Sequence, residues 1–240
     1  MLLEEVISQL KTLAHLEAVE NMYRIESPTD HVLGVSLAGL RKFAKKIDKN
    51  HNLAQQLWNA GFYETRVLAA FIDEPDKVTE RQMDRWIRES ESSELCDVCC
   101  GNLFDKTPWA YQKAVEWTGK SEELIKRSGF MLMAELAVHD KKTQDEEFIG
   151  LLEIIKREAS EERSLVKKAI GLALRQIGKR NANLNTHAVE TSTLLSASEF
   201  KPARIIGQEA LRELTDAGRK HGLKIDLYFS HPQWYDADFR

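Results

Sequence analysis

Cysteine, proline and net positive charge are all scarce in this 240-residue chain, which has three Cys, five Pro and a formal charge of −4. The three cysteines, Cys96, Cys99 and Cys100, fall within five residues, too close together to serve as a disulfide framework, so a reducing compartment is expected. Cys96 and Cys99 form a C-x-x-C, but no second pair and no histidine at ligand spacing accompanies it, so these thiols read as small packing residues and no metal site is expected. No apolar run approaches membrane-spanning length. The opening MLLEEVISQLKTLAHLEAVE carries acids where a signal peptide carries bases. A cytoplasmic protein is expected, without membrane attachment. The negative balance excludes a surface coated in positive charge, so any affinity for polyanions rests on where the bases lie. Strand alternation is missing from the first 218 residues.

Helix signals are plentiful. Ser36 precedes LAGLRKFAKKI, Thr79 and Gln82 have capping-box spacing, Thr107 precedes Pro108 at an expected first helical position, and Ser121 precedes two glutamates. Gly61, Pro75 and Gly119 follow apolar stretches as stops. The segments between them fall into five tandem pairs: HNLAQQLWNAG with YETRVLAAFI, TERQMDRWIRES with SELCDVCCGNLF, PWAYQKAVEWTG with EELIKRSGFMLMAELA, DEEFIGLLEIIKRE with SLVKKAIGLALRQIGK, and HAVETSTLLSA with KPARIIGQEALREL. One pair cannot bury both of its apolar faces, so stacking must supply the core. The expected fold is all-α, a right-handed α-solenoid of irregular helix pairs with a concave groove. It should span residues 1–218, with an aromatic C-terminal tail, 219–240, packed on or near it. Trp58, Trp86, Trp109 and Trp117 lie on first helices and read as packing residues.

Aligning the second helices on their apolar stripes places Arg66, Asp97, Arg127, Lys168 and Arg204 at one shared early position, with Lys126 and Lys167 beside it. Residues 161–180 carry six Lys/Arg against two Glu, and Lys168, Arg175 and Lys179 share a face there, interrupted by Leu172. Second helices line the concave side of such stacks, so these cations would form a ladder suited to a phosphate backbone. A solvated charged face is the commoner fate of such residues. Asp97 is the lone acid in the ladder. It weakens polyanion binding unless it has chemistry to perform, as a catalytic carboxylate does, or unless it pairs with Arg127 and merely orders the stack.

SPTDHVLGVSLAGLRKFAKKI, LCDVCCGNLFDKTP, IKRSGFMLMAELAVHDKK and LVKKAIGLALRQIGKRN, in this order, resemble the AlkD-like DNA alkylation repair family over most of residues 20–215. The resemblance implies HEAT-like repeats that clasp double-stranded DNA and hydrolyse the N-glycosidic bond of cationic alkylpurines such as 3-methyladenine and 7-methylguanine. It implies a monomer with no cofactor and no metal, nucleoid-associated when bound. Asp97 matches the family's catalytic aspartate, and Arg127 its groove arginine, with Lys126 one residue away. Arg66, Lys126, Arg127, Lys167, Lys168, Arg175, Lys179 and Arg204 are the candidate DNA contacts. The chain departs from the pattern where active members place two groove tryptophans, since Ser93 and Leu172 stand there. A member that binds DNA structure or damage without excision therefore stays open as an alternative. So does a protein-binding scaffold, because fold alone does not fix function.

Overall fold

The computed structural model describes residues 2–14 and 32–220. Twelve α-helices are found among them: α1 (Leu3–Thr12), α2 (Leu37–Ala44), α3 (His51–Asn59), α4 (Tyr63–Ile72), α5 (Glu80–Glu89), α6 (Ser93–Asn102), α7 (Ala110–Thr118), α8 (Glu123–His139), α9 (Asp145–Glu158), α10 (Ser164–Lys179), α11 (Ala182–Ser196) and α12 (Lys201–Lys220). No strand occurs among the described residues. The five anticipated pairs run from α3/α4 to α11/α12. The aromatic residues of the tail, expected along the solenoid, lie outside the described residues, as do the first residues of the SPTDH motif.

Second helices pack on second helices in one row, α2–α4–α6–α8–α10–α12, whereas the first helices touch one another less closely. The tighter row has the shorter radius, so the stack curves with the even-numbered helices inside. Helix α10 shows how the sequence dictates this. Val166, Ala169, Ile170, Ala173, Leu174 and Ile177 recur at helical spacing and are all buried. Small residues set the approach of neighbours. A Cβ on Gly129 of α8 would lie 2.8 Å from Thr118 N and 2.9 Å from Ala114 O of α7, so that crossing requires glycine.

An aromatic column ties the early repeats together. Trp58 stacks on Trp86 with ring centroids 4.1 Å apart, and Phe104 bridges Trp86 to Trp117 at 6.2 Å on each side. Trp58, Trp86 and Trp117 are buried, and Trp109 anchors its indole N–H on Val78 O at 3.1 Å, so these four tryptophans are packing residues. Indole and ammonium donors meet acids alongside: Trp58 Nε1 donates to Glu89 (2.6 Å), Trp117 Nε1 to Asp84 (2.8 Å), and buried Lys113 to Asp84 (2.9 Å) and Glu116 (2.7 Å).

Local signals hold unevenly. Ser36 caps α2 through Gly39 N, and Gly61 stops α3 with φ +82°. Thr79 accepts from Gln82 N, but the Gln82 amide turns to the buried Asp73 carboxylate at 2.6 Å, so only half of the capping box forms. The helix expected from Pro108 begins at Ala110, because the Thr107 hydroxyl donates to Phe104 O and closes a 3₁₀ turn over Phe104–Lys106 first. Glu122, not Ser121, takes the N-cap position of α8.

Candidate nucleic-acid interface

Helix α6 starts at the Ser92 cap, whose hydroxyl accepts from Leu95 N at 3.3 Å. Leu95, Cys96, Val98, Cys99 and Cys100 are buried, which leaves Ser93, Asp97 and Gly101 as a half-exposed stripe spaced by four residues. Burial raises the Cys96 thiol to about 11, so these cysteines stay protonated packing groups. On α8, the block Ser128–Ala134 is buried, and Arg127 and Glu135 flank it at half-buried positions.

Asp97 and Arg127 meet across the α6–α8 seam. Both guanidinium Nη atoms donate to the carboxylate, Nη1 to Oδ1 and Nη2 to Oδ2, the latter at 2.8 Å. Nη1 also lies 3.4 Å from Ser93 O, so Arg127 spans the two positions that bracket this turn of α6. The Arg127 side chain is 11% exposed and that of Asp97 35%, so the carboxylate is the part of the pair that faces solvent. Burial pulls the guanidinium pKa down, and the hydrogen bonds and charge of Asp97 outweigh this and raise it. Arg127 Nε is buried and has no partner among the described residues.

Five of the remaining candidate cations have acidic or carbonyl partners that the sequence pattern did not disclose. Arg66 donates to Glu89 O at 2.9 Å, lies 3.8 Å from Glu91 and sits over the Trp58 ring at 5.4 Å. Lys126 bridges Glu158 (2.9 Å) and Glu161 (3.2 Å). Arg175 Nε meets Glu213 of α12 at 2.9 Å, and Lys179 Nζ meets the other oxygen of the same carboxylate. Arg204 turns back onto the carbonyls of Ser198 (2.9 Å) and Glu199 (2.7 Å). Lys167 is half-buried and Lys168 exposed, and neither side chain has a hydrogen bond or ion pair among the described residues. Leu172, read as interrupting the basic face, is half-buried and packs on the core.

One turn beyond Asp97 lies a second group that the pattern missed. The Glu135 carboxyl presses on Gly101, where an added Cβ would stand 2.8 Å from its carboxyl carbon. Asp105, with a fully buried carboxylate, accepts from His139 Nδ1 at 2.6 Å and from Lys106 at 3.1 Å. The glycine one turn after Asp97, and the charged NLFDK and AVHDK segments, were the available signals. Among the described residues no group of His, Cys, Asp or Glu is arranged to hold a metal ion.

A stack of helix pairs with its second helices inside and a carboxylate–guanidinium pair on that inner row defines an α-solenoid with a polar inner face. The family model for the DNA alkylation repair enzyme matches residues 6–214, and the chain belongs to that family. A solved structure described as a new family of proteins related to the HEAT-like repeat DNA glycosylases with affinity for branched DNA structures superimposes with a TM-score of 0.73 at 23% identity. That match covers 91% of this chain and 97% of the other, and it supports the fold. An engineered protein matched at a TM-score of 0.38 and 16% identity, covering 86% of this chain and 98% of its own, is too dissimilar to inform the site. No curated protein matches.

Proposed function

We propose that this protein binds double-stranded DNA in its concave groove and, with Asp97 at the centre, hydrolyses the N-glycosidic bond of cationic alkylpurines of the 3-methyladenine and 7-methylguanine type. The observation that carries this reading is the Asp97–Arg127 pair, whose exposed half is a carboxylate held by two donors on the inner row of helices. A cationic base leaves without being protonated, so the protein need supply only negative charge beside the developing sugar cation and a place for water. Asp97 provides the charge. Arg127 keeps it from rotating away, a positioning role. Exposed Lys168 and neighbouring Lys167 are the cations free to take phosphates at once, while Arg175 and Lys179 become available when Glu213 yields. The test is release of 3-methyladenine or 7-methylguanine from methylated DNA by the purified protein beside Asp97→Asn, and equal release by both would remove Asp97 from the reaction.

A second reading, binding of DNA structure or damage without excision, is favoured by Ser93 and by Leu172, which is packed against the core. Neither offers an aromatic face to a cationic lesion, a contact worth about 0.5–2 kcal/mol each. The structural neighbour described by its affinity for branched DNA is compatible with this reading. It requires tight, salt-sensitive binding of duplex or four-way-junction DNA with no base released. Placing Trp at both positions should then raise release, and no change would argue against this explanation.

A further inference from the structure

We propose that Glu135 is the catalytic base of the groove, taking the proton from the water that attacks the sugar while Asp97 stabilises the sugar's positive charge. The inference rests on the glycosylase reading above and adds to it a residue with a distinct role.

Three features of the geometry support it. Asp97 and Gly101 are successive on one face of α6, about 6 Å apart along the helix axis at four residues of ~1.5 Å each. The Glu135 carboxyl lies against Gly101, with 2.8–3.0 Å from its carbon and oxygens to where a Cβ would be. The two carboxyl groups thus approach adjacent turns of the same face of α6. Glycine inside an exposed helix costs about 1 kcal/mol relative to alanine, and here its lack of a side chain is what admits the second carboxyl. Finally, Asp97 is occupied by Arg127 at both oxygens, whereas Glu135 accepts no hydrogen bond among the described residues, its nearest partner being His139 Nδ1 at 3.6 Å. A carboxyl without donors has lone pairs free to accept a proton from water.

The groups facing Glu135 have opposing effects. Burial raises its carboxyl pKa, His139 and Lys106 lower it, and Asp105 and Asp97 raise it, the net direction being upward. Asp97, fixed as an ion partner, and Glu135, pushed toward neutrality, are divided between charge stabiliser and proton acceptor. In the step itself the water oxygen bonds to C1′ and the C1′–N bond breaks. Its electron pair neutralises the cationic purine, and the water proton moves to Glu135 and then to solvent.

The experiment compares wild type, Glu135→Gln and Glu135→Asp in single-turnover release of 7-methylguanine at protein concentrations that saturate the DNA, with duplex affinity measured separately. Glu135→Gln should slow release about 100-fold near neutral pH. It should leave DNA affinity within twofold and abolish the rise in rate as pH climbs above the ordinary carboxylate range. Glu135→Asp should keep that rise at a reduced rate. Release by Glu135→Gln within twofold of wild type, with the same pH profile, would overturn the proposal while leaving the glycosylase reading intact. Absence of release by the wild type itself would end both.

Discussion

Removing one partner of the Asp97–Arg127 pair should cost far more than removing the other. In Asp97→Ala, the 11%-exposed guanidinium loses both Nη acceptors and, among the described residues, keeps only a long contact to Ser93 O, its buried Nε having no partner there. Stripping the counter-ion from a fully buried charge costs roughly 3–5 kcal/mol. Asp97 is about one-third exposed, so water can reach part of the vacated site, and about 2–3 kcal/mol is expected. Arg127→Met keeps the apolar stem packed and leaves behind a carboxylate that water can solvate, for about 1 kcal/mol. In the Arg127→Met background Asp97→Ala should then be nearly neutral, a coupling of about 2 kcal/mol. Urea unfolding of the four proteins measures it, and thermal midpoints should fall by about 2–4 °C per kcal/mol in a domain of this size. An Asp97→Ala loss equal to or smaller than that of Arg127→Met, or a coupling below about 0.5 kcal/mol, would refute the asymmetry.

Gly129→Ala should destabilise the fold by about 1–3 kcal/mol, seen in the same unfolding assay, because its methyl group would meet backbone atoms of Thr118 and Ala114 at 2.8–2.9 Å. Acid should weaken the outer loops. Burial pushes the Asp140 carboxyl up, but the Thr143 hydroxyl, the N–H groups of Lys142 and Thr143 and the Tyr111 hydroxyl outweigh it and hold it at about 2. Arg163 and Lys126 hold Glu161 at about 2 against its partial burial. Both carboxyls are depressed in the folded state, so their stabilisation is complete above the ordinary carboxylate range and is lost as pH falls toward 2. Asp140→Asn should flatten the stability–pH curve in that window. Glu213→Gln should strengthen DNA binding by releasing Arg175 and Lys179, whereas Lys168→Glu should weaken it and reduce the slope of log affinity against log salt by about 1. Unchanged affinity in both variants would take the α10 face out of the interface.

The helix pairs were legible because each buries one stripe with a period near 3.6, as Val166 to Ile177 do in α10. Ends were less so. Pro108 and Ser121 have the chemistry of helix starts, yet a 3₁₀ turn closed by Thr107 and a chain direction set by packing put the first helical residues at Ala110 and Glu123. The repeat alignment placed Asp97 and Arg127 in register, and the structure brings them together. It did not reveal that Lys126, Arg175 and Lys179 are held by Glu158, Glu161 and Glu213, because those acids arrive from a neighbouring helix or loop with no spacing to mark them. Leu172 was assigned to the open face because a two-sided stripe fits α10 taken alone. Packed between α8 and α12, that helix buries a wider arc. Glu135 escaped notice because an isolated acid in the apolar second half of α8 carries no signal until the glycine opposite it is seen in space.

DNA seated on the inner face around Asp97 and Arg127 must bind less tightly as salt rises and as positive charge there is reversed. The deciding measurement is duplex affinity as a function of salt, for wild type and for Arg127→Glu with Lys168→Glu. Wild-type binding should depend on salt, and at low salt it should fall by an order of magnitude or more in the double variant, with the fold retained by circular dichroism. Negligible affinity of the wild type at low salt, or affinity untouched by both reversals, would contradict this seating of DNA and leave the groove as a surface for protein partners.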